Sequence, residues 1–257
     1  MIATPMSAPV RPVQNESAAR AERTWTLSLG VLHILLAGIA FLVLGSVFDF
    51  PGILREPAAT VLARFSENPT TIRWAYYTFM LSSLVLIPIA VILGRALSAR
   101  LPDGRGDGLM TVATLFGVLA GLTQILGFIR WTILVPFLAD SYADPGTSPA
   151  GREAIAVAYE FANRYLGMTI GEHLGWVFQG SWVLLLSVAL LRRLPLPRWL
   201  GIVGLVVAAL LLVGTLEQFR FGWEGPLGLA NAVGTTAFPF WLIALAAALP
   251  RPGAAAD

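Results

Sequence analysis

Seven residues carry most of the chemistry this chain offers: Arg130, Glu172, His173, Trp176, Gln179, Glu217 and Asn231. Each stands within, or at the rim of, an otherwise apolar run. An acid beside an imidazole can trade protons, and a guanidinium can steady an anion. On a helix, Glu172, Trp176 and Gln179 share one face, with His173 flanking it. Thr123, Gly127 and Arg130 line up on a second run, and Asn231 and Thr235 on a third. We expect Arg130 to pair with Glu172 or Glu217, and His173, Gln179 and Asn231 to complete a polar pocket. The plainer alternative is an ion pair that only locks the runs together.

The elements that must position these groups are membrane helices. Of 257 residues, 56% are hydrophobic and only 12% charged, against about 25% charged in soluble domains. The mean hydropathy is +0.74. Six runs reach the roughly 20 apolar residues that a bilayer crossing needs. They are Trp25–Phe48, Trp74–Leu97, Gly108–Leu138, Gly171–Leu191, Trp199–Glu217 and Leu227–Leu249. The runs are continuous rather than alternating, which favours helices over strands. Pro88 and Pro239 predict kinks. The first run is too long for the apolar core of a cleaved signal peptide and reads as a retained anchor.

Orientation follows from arginine, the only basic residue type among the seventeen basic positions. With the N-terminus in the cytosol, Arg95, Arg100 and Arg105 flank one short inner loop and Arg192, Arg193 and Arg198 the other. The short outer loop keeps only Arg220, and the C-terminus returns to the cytosol. A flexible tail is expected over 1–23, a single transmembrane domain over 24–250 and a short tail over 251–257. Two long outer loops are expected, 51–73 and 139–170. The first has room for a short helix near Pro57–Phe65. The second holds an amphipathic stretch, Arg152–Leu166, suited to lie on the surface or cap the bundle. All five tyrosines fall on the outer side, as in an interfacial aromatic belt or the lining of an outer mouth.

Several classes are excluded. Without cysteine there are no disulfides, thiolate nucleophiles or iron–sulfur clusters. Two histidines are too few for a His-rich metal site, so no metal and no cofactor is expected. His33, placed nearer the inner face, should be a core histidine bonded to a neighbouring helix. A net charge of +2 from scattered arginines offers nothing to nucleic acid. Nucleotide-loop, nucleophile-elbow and zinc-protease motifs are absent. Asp103–Asp107 is loop chemistry, and Asn15-Glu16-Ser17 fits a glycosylation pattern on the wrong side of the membrane. Gly117-x-x-x-Gly121 and Gly171-x-x-x-Gly175 have the spacing of close helix contacts.

A set of short words carries a family resemblance: Gly127-Phe-Ile-Arg130-Trp131 with Val135-Pro136, Tyr142-Ala-Asp-Pro145, Gly171-Glu-His-Leu-Gly175 and Pro197-Arg-Trp-Leu-Gly201. With these the chain resembles an uncharacterised bacterial six-span membrane family, domain of unknown function 4386. The resemblance implies a multi-pass protein of a bacterial cytoplasmic membrane. It implies no substrate, cofactor or catalytic residue.

The fold class is therefore all-α, a bundle of six transmembrane helices with both termini cytosolic. Membrane lipids are the expected partners; nothing in the sequence specifies an oligomeric state. The leading functional expectation is a small, hydrophobic or amphiphilic ligand held at an outer-leaflet polar pocket. The second is a membrane enzyme acting on an amphiphile, with Glu172 or Glu217 as acid or base, His173 as proton shuttle and Arg130 as anion stabiliser. A transporter is the third; the apolar span centres at Val85, Leu119, Leu184 and Ala208 speak against it, and only Gln124, Gln179 and the Pro88 and Pro239 kinks speak for it.

Overall fold

A computed structural model describes residues 16–101, 108–219 and 222–249. The expectations for 1–15, the 103–107 loop, Arg220 and the C-terminal tail lie outside those residues. Among the described residues every regular element is helical. Six helices are long and apolar enough to cross a membrane.

The first membrane helix, α1, is Glu16–Val47, so the helix begins inside the expected tail. A 3-10 turn, Gly52–Arg55, leads to the short helix α2, Ala58–Glu67, close to where a helix was expected. Pro69 opens α3, Pro69–Ser98, and α4 is Gly108–Ala143. Next come α5, Pro149–Ala162, a π-helical segment, Asn163–Leu174, and α6, Gly175–Arg192. The helix α7, Arg198–Gly214, ends in a second 3-10 turn, Thr215–Phe219, and α8 is Glu224–Ala248.

The 139–170 loop is shorter than expected. Ser148 caps α5 by accepting from the Gly151 amide at 3.1 Å, and Pro149 sits in the first turn, a strong start signal. No proline follows until after Arg193, so helix runs from Pro149 to Arg192. The amphipathic stretch is thus the first half of a membrane helix rather than a separate surface element.

Around the bundle α1 packs on α3, α3 on α4, α4 on α6, α6 on α7, α7 on α8, and α8 back on α1. Buried bonds tie neighbours together. His33 Nδ1 donates to the Ser82 carbonyl at 2.9 Å, and Trp241 Nε1 to the Leu200 carbonyl at 2.8 Å. The first bears out the expected helix-bonded histidine. The outward faces keep large apolar side chains in the open, including Leu42, Ile133, Phe137, Ile202 and Phe240. So much exposed apolar surface belongs against lipid tails.

Two apolar cores fill the inside. One, built on Leu86, Leu93, Trp182, Leu186 and Trp241, occupies the half holding the α3–α4 and α6–α7 connections. The other joins α2 to α1, α3, α4 and α5 through Phe48, Phe65, Tyr76, Trp131 and Tyr159. We call the end holding α2 the hairpin end. There Arg64 Nε donates to Asp49 Oδ2 at 3.0 Å, pinning α2 to the exit of α1. The Arg64 bond to Glu67, helped by the Asp49 charge, pushes the Arg64 pKa up.

The tyrosine belt needs correction. Tyr77 and Tyr165 are exposed, but Tyr76 and Tyr159 are fully buried. Tyr76 stacks on Trp131 at 4.5 Å between ring centroids, and Tyr159 meets the same indole edge-on at 6.3 Å.

Candidate functional site

The hairpin end gathers the expected polar residues on the π segment, α4, the Thr215–Phe219 turn and α8. The π segment explains the local geometry. Tyr159, Asn163, Gly167, Gly171, Gly175 and Gln179 recur every fourth residue, and all are buried. On an ordinary α-helix a four-residue stripe drifts by about 40° per repeat, because a turn holds 3.6 residues. It would leave the α4 interface within a few turns. The i→i+5 bonding of a π-helix puts more residues in each turn. This unwinding keeps the stripe against α4.

Glycine lets the two backbones touch. A Cβ on Gly171 would lie 2.7 Å from Gly127 Cα, and one on Gly175 would lie 3.0 Å from Gln124 Cγ. Gly117 and Gly121 likewise leave no room, facing Ala90, Trp182, Ile87 and the Ser83 carbonyl. Both glycine pairs are therefore close-packing sites, as their spacing suggested.

Arg130 is buried but does not make the expected ion pair with Glu172 or Glu217. Among the described residues no carboxylate reaches it within ion-pair distance. Its Nη2 donates to Asn163 Oδ1 at 3.0 Å and its Nη1 to the Gly127 carbonyl. Gly167 lies flat against the guanidinium, where a side chain would collide. The guanidinium carbon sits 5.2 Å from the Trp131 ring centroid, an arrangement worth about 0.5–2 kcal/mol. The stripe delivers a neutral amide to the place where an acid was expected, and Glu172 is carried one helix face away.

Each acid has another partner. Glu172 Oε2 accepts from Gln218 Nε2 at 2.9 Å, while still within electrostatic range of Arg130 and Arg55. Glu217 is buried and pairs with Arg55 of the first 3-10 turn, whose side chain is 62% exposed. The Glu217 carboxylate rests over Gly228 on α8, where an added Cβ would lie 3.1 Å from it. The Leu54 carbonyl, one residue before Arg55, accepts from Asn163 Nδ2 at 3.3 Å. The Gly52–Arg55 turn thus straps the site, gripping the π segment and the Thr215–Phe219 turn at once.

His173 Nδ1 lies 3.2 Å from the Thr215 carbonyl, and its ring meets Phe219 edge-on. Gln179 lies deeper. Its Oε1 accepts from Gln124 Nε2 at 2.7 Å, and Gln124 Oε1 accepts from Ser83 Oγ at 3.1 Å. This chain ties α6, α4 and α3 together below the pocket level. Asn231 is buried with its Oδ1 unpaired, and its backbone packs on Gly214. Trp176 is half-buried on α6.

The structure therefore brings Glu172, His173 and Glu217 to one end beside Asn231 and leaves Gln179 in a separate network. Sequence reasoning missed Arg55, Asn163 and Gln218, and it placed Tyr76 and Tyr159 on the outer side without joining them to Arg130. The four-residue stripe was a readable signal for Tyr159 and Asn163. Nothing local marked Arg55, which reaches across 162 positions to its acid.

Six apolar crossings, an apolar outer face and a capped polar end define a multi-pass membrane protein. Within that class the chain belongs to the family described as domain of unknown function (DUF4386), whose model matches residues 29–246. The match bears out the resemblance carried by the short words above. No curated protein and no solved structure matches the chain.

Proposed function

We propose that the hairpin end faces the outside of a bacterial cytoplasmic membrane and holds a small amphiphile there, its head among polar side chains and its tail along the helices. The observation that carries this is the crowding of buried and half-buried polar groups beneath the Gly52–Arg55 strap. Glu172, His173, Glu217 and Asn231 meet there from three elements, with Gln218 and Arg55 as partners. Arg130 and Asn163 border the same level, and Trp176 and Gln179 lie toward the tail. Ionisable groups within a membrane are expensive, and by default they mark function rather than packing.

The test is the amphiphile that copurifies with the protein in a mild detergent, identified by mass spectrometry. The wild-type chain should retain one species above the lipid background of an unrelated six-span protein. Glu172→Gln should lose that species while melting within a few degrees of wild type. An extract indistinguishable from the unrelated protein would end the proposal, and plain unfolding of Glu172→Gln would make the residue structural.

One observation favours an enzyme as the second reading. The Nδ1 bond to the Thr215 carbonyl fixes the His173 ring and leaves Nε2 as the nitrogen that could exchange a proton, and Glu172 is its neighbour in the chain. Under that reading Glu172→Gln abolishes turnover of an amphiphilic substrate without changing its retention.

A further inference from the structure

Among the described residues the hairpin end holds, besides Asn231 Oδ1, three buried polar atoms without a partner: Arg130 Nε, Tyr76 Oη and Tyr159 Oη. They come from α4, α3 and α5. Their side chains are 6%, 1% and 1% exposed as residues. The three side chains that carry them all pack on one indole, Trp131, and both tyrosines lie within electrostatic range of the Arg130 charge. An unsatisfied buried polar group is rare in a native protein and asks for an explanation. Three around a single ring ask for a shared one.

The chemistry of the three atoms defines it. Arg130 Nε can only donate, and each tyrosine hydroxyl has a proton to give. The missing partner is an acceptor with several lone pairs. It is also a counter-charge, because the two Nη atoms are bonded to an amide and a carbonyl, while the Glu172 carboxylate acts on the guanidinium only at a distance and is bonded to Gln218. Water supplies two lone pairs and no charge. A carboxylate or phosphate supplies more lone pairs and the charge, and arginine suits both oxyanions.

We propose that Arg130, Tyr76 and Tyr159 bind an oxyanion, the carboxylate or phosphate head of the amphiphile. This rests on the ligand reading above and makes that ligand anionic. Asn163 and Gly167 act as positioning residues, the first holding Nη2 and the second leaving space for the guanidinium to lie flat.

The experiment measures thermal shifts of the full chain in a neutral maltoside detergent with four probes: decanoate, decyl phosphate, inorganic phosphate and neutral monodecanoylglycerol. The main variant is Tyr76→Phe/Tyr159→Phe, which keeps both rings and removes only unpaired hydroxyls. It should melt no lower than wild type without probe. Arg130→Met is the companion, with a greater chance of failing to fold. We expect decanoate or decyl phosphate to bind at least tenfold tighter than monodecanoylglycerol, and at least tenfold weaker to the double tyrosine variant. Inorganic phosphate binding as tightly, with the same tyrosine dependence, would support the oxyanion site but identify a free anion, and the amphiphile reading would fall. Neutral and anionic amphiphiles binding alike, unaffected by the tyrosine changes, would overturn the oxyanion site and leave the amphiphile reading standing. No shift with any probe would overturn it too.

Discussion

Gly171→Ala tests the contact on which the hairpin end depends. The added methyl would lie 2.7 Å from Gly127 Cα and 3.3 Å from the Leu166 carbonyl. Carbon atoms sit comfortably at about 3.5–4.0 Å, so the π segment and α4 must part by about 1 Å. Neither clashing atom belongs to a side chain that could swing away. Overpacking of this kind costs about 1–3 kcal/mol. The same separation stretches the 3.0 Å bond from Arg130 to Asn163, and a hydrogen bond to a charged group contributes about 1.5–3 kcal/mol. Alanine's better helix propensity returns about 1 kcal/mol. The net loss is about 1.5–5 kcal/mol, or roughly 3–20 °C in melting temperature at about 2–4 °C per kcal/mol. The assay is intrinsic tryptophan fluorescence on heating in detergent. Gly38→Ala, where nothing lies within 4 Å of the added atom, is the control and should hold or raise the melting temperature. Gly127→Ala should behave like Gly171→Ala. If both melt alongside Gly38→Ala, the two backbones do not touch and the stripe has no such role.

Other outcomes follow from the same contacts. Arg55→Ala should destabilise by about 1–3 kcal/mol, since it strands the buried Glu217 carboxylate. A double-mutant cycle with Glu217→Gln should return a coupling of about 1 kcal/mol, modest because Arg55 is largely exposed. Gln124→Leu breaks bonds to both Gln179 and Ser83 and should cost about 1 kcal/mol by thermal or denaturant unfolding, at about 0.6 kcal/mol on average for each interhelical bond in a membrane. The chain has no cysteine, so single introductions report topology cleanly. An impermeant maleimide should label Ala150→Cys on intact cells and Arg192→Cys only after lysis; the reverse pattern would invert the proposed orientation.

Much of the architecture is written in hydropathy. The six helices fall close to the six apolar runs because a continuous apolar stretch has one stable form in lipid. The short helix at Ala58–Glu67 follows from Pro57 and its amphipathic pattern. What could not be read came from non-local choices. Arg130 looked like one half of an ion pair, since an acid is the commonest partner for a buried guanidinium. The winding of the π segment decided otherwise, by presenting Asn163. Tyr76 and Tyr159 looked interfacial because position along a span reveals depth but not which way a ring turns. Arg55 sat in a connection, where no periodicity assigns a face. The stripe from Tyr159 to Gln179 was visible in the sequence, but a spacing of four looks like a helix until its drift is counted.

The strap has one more consequence. It holds the π segment by a main-chain oxygen at Leu54 and the Thr215–Phe219 turn by the charge of Arg55, and the two grips are adjacent residues. It therefore works as a caliper. If those two elements moved apart, one jaw would have to let go, so two neighbouring residues in the connection after α1 fix how far apart the π segment and the Thr215–Phe219 turn stand.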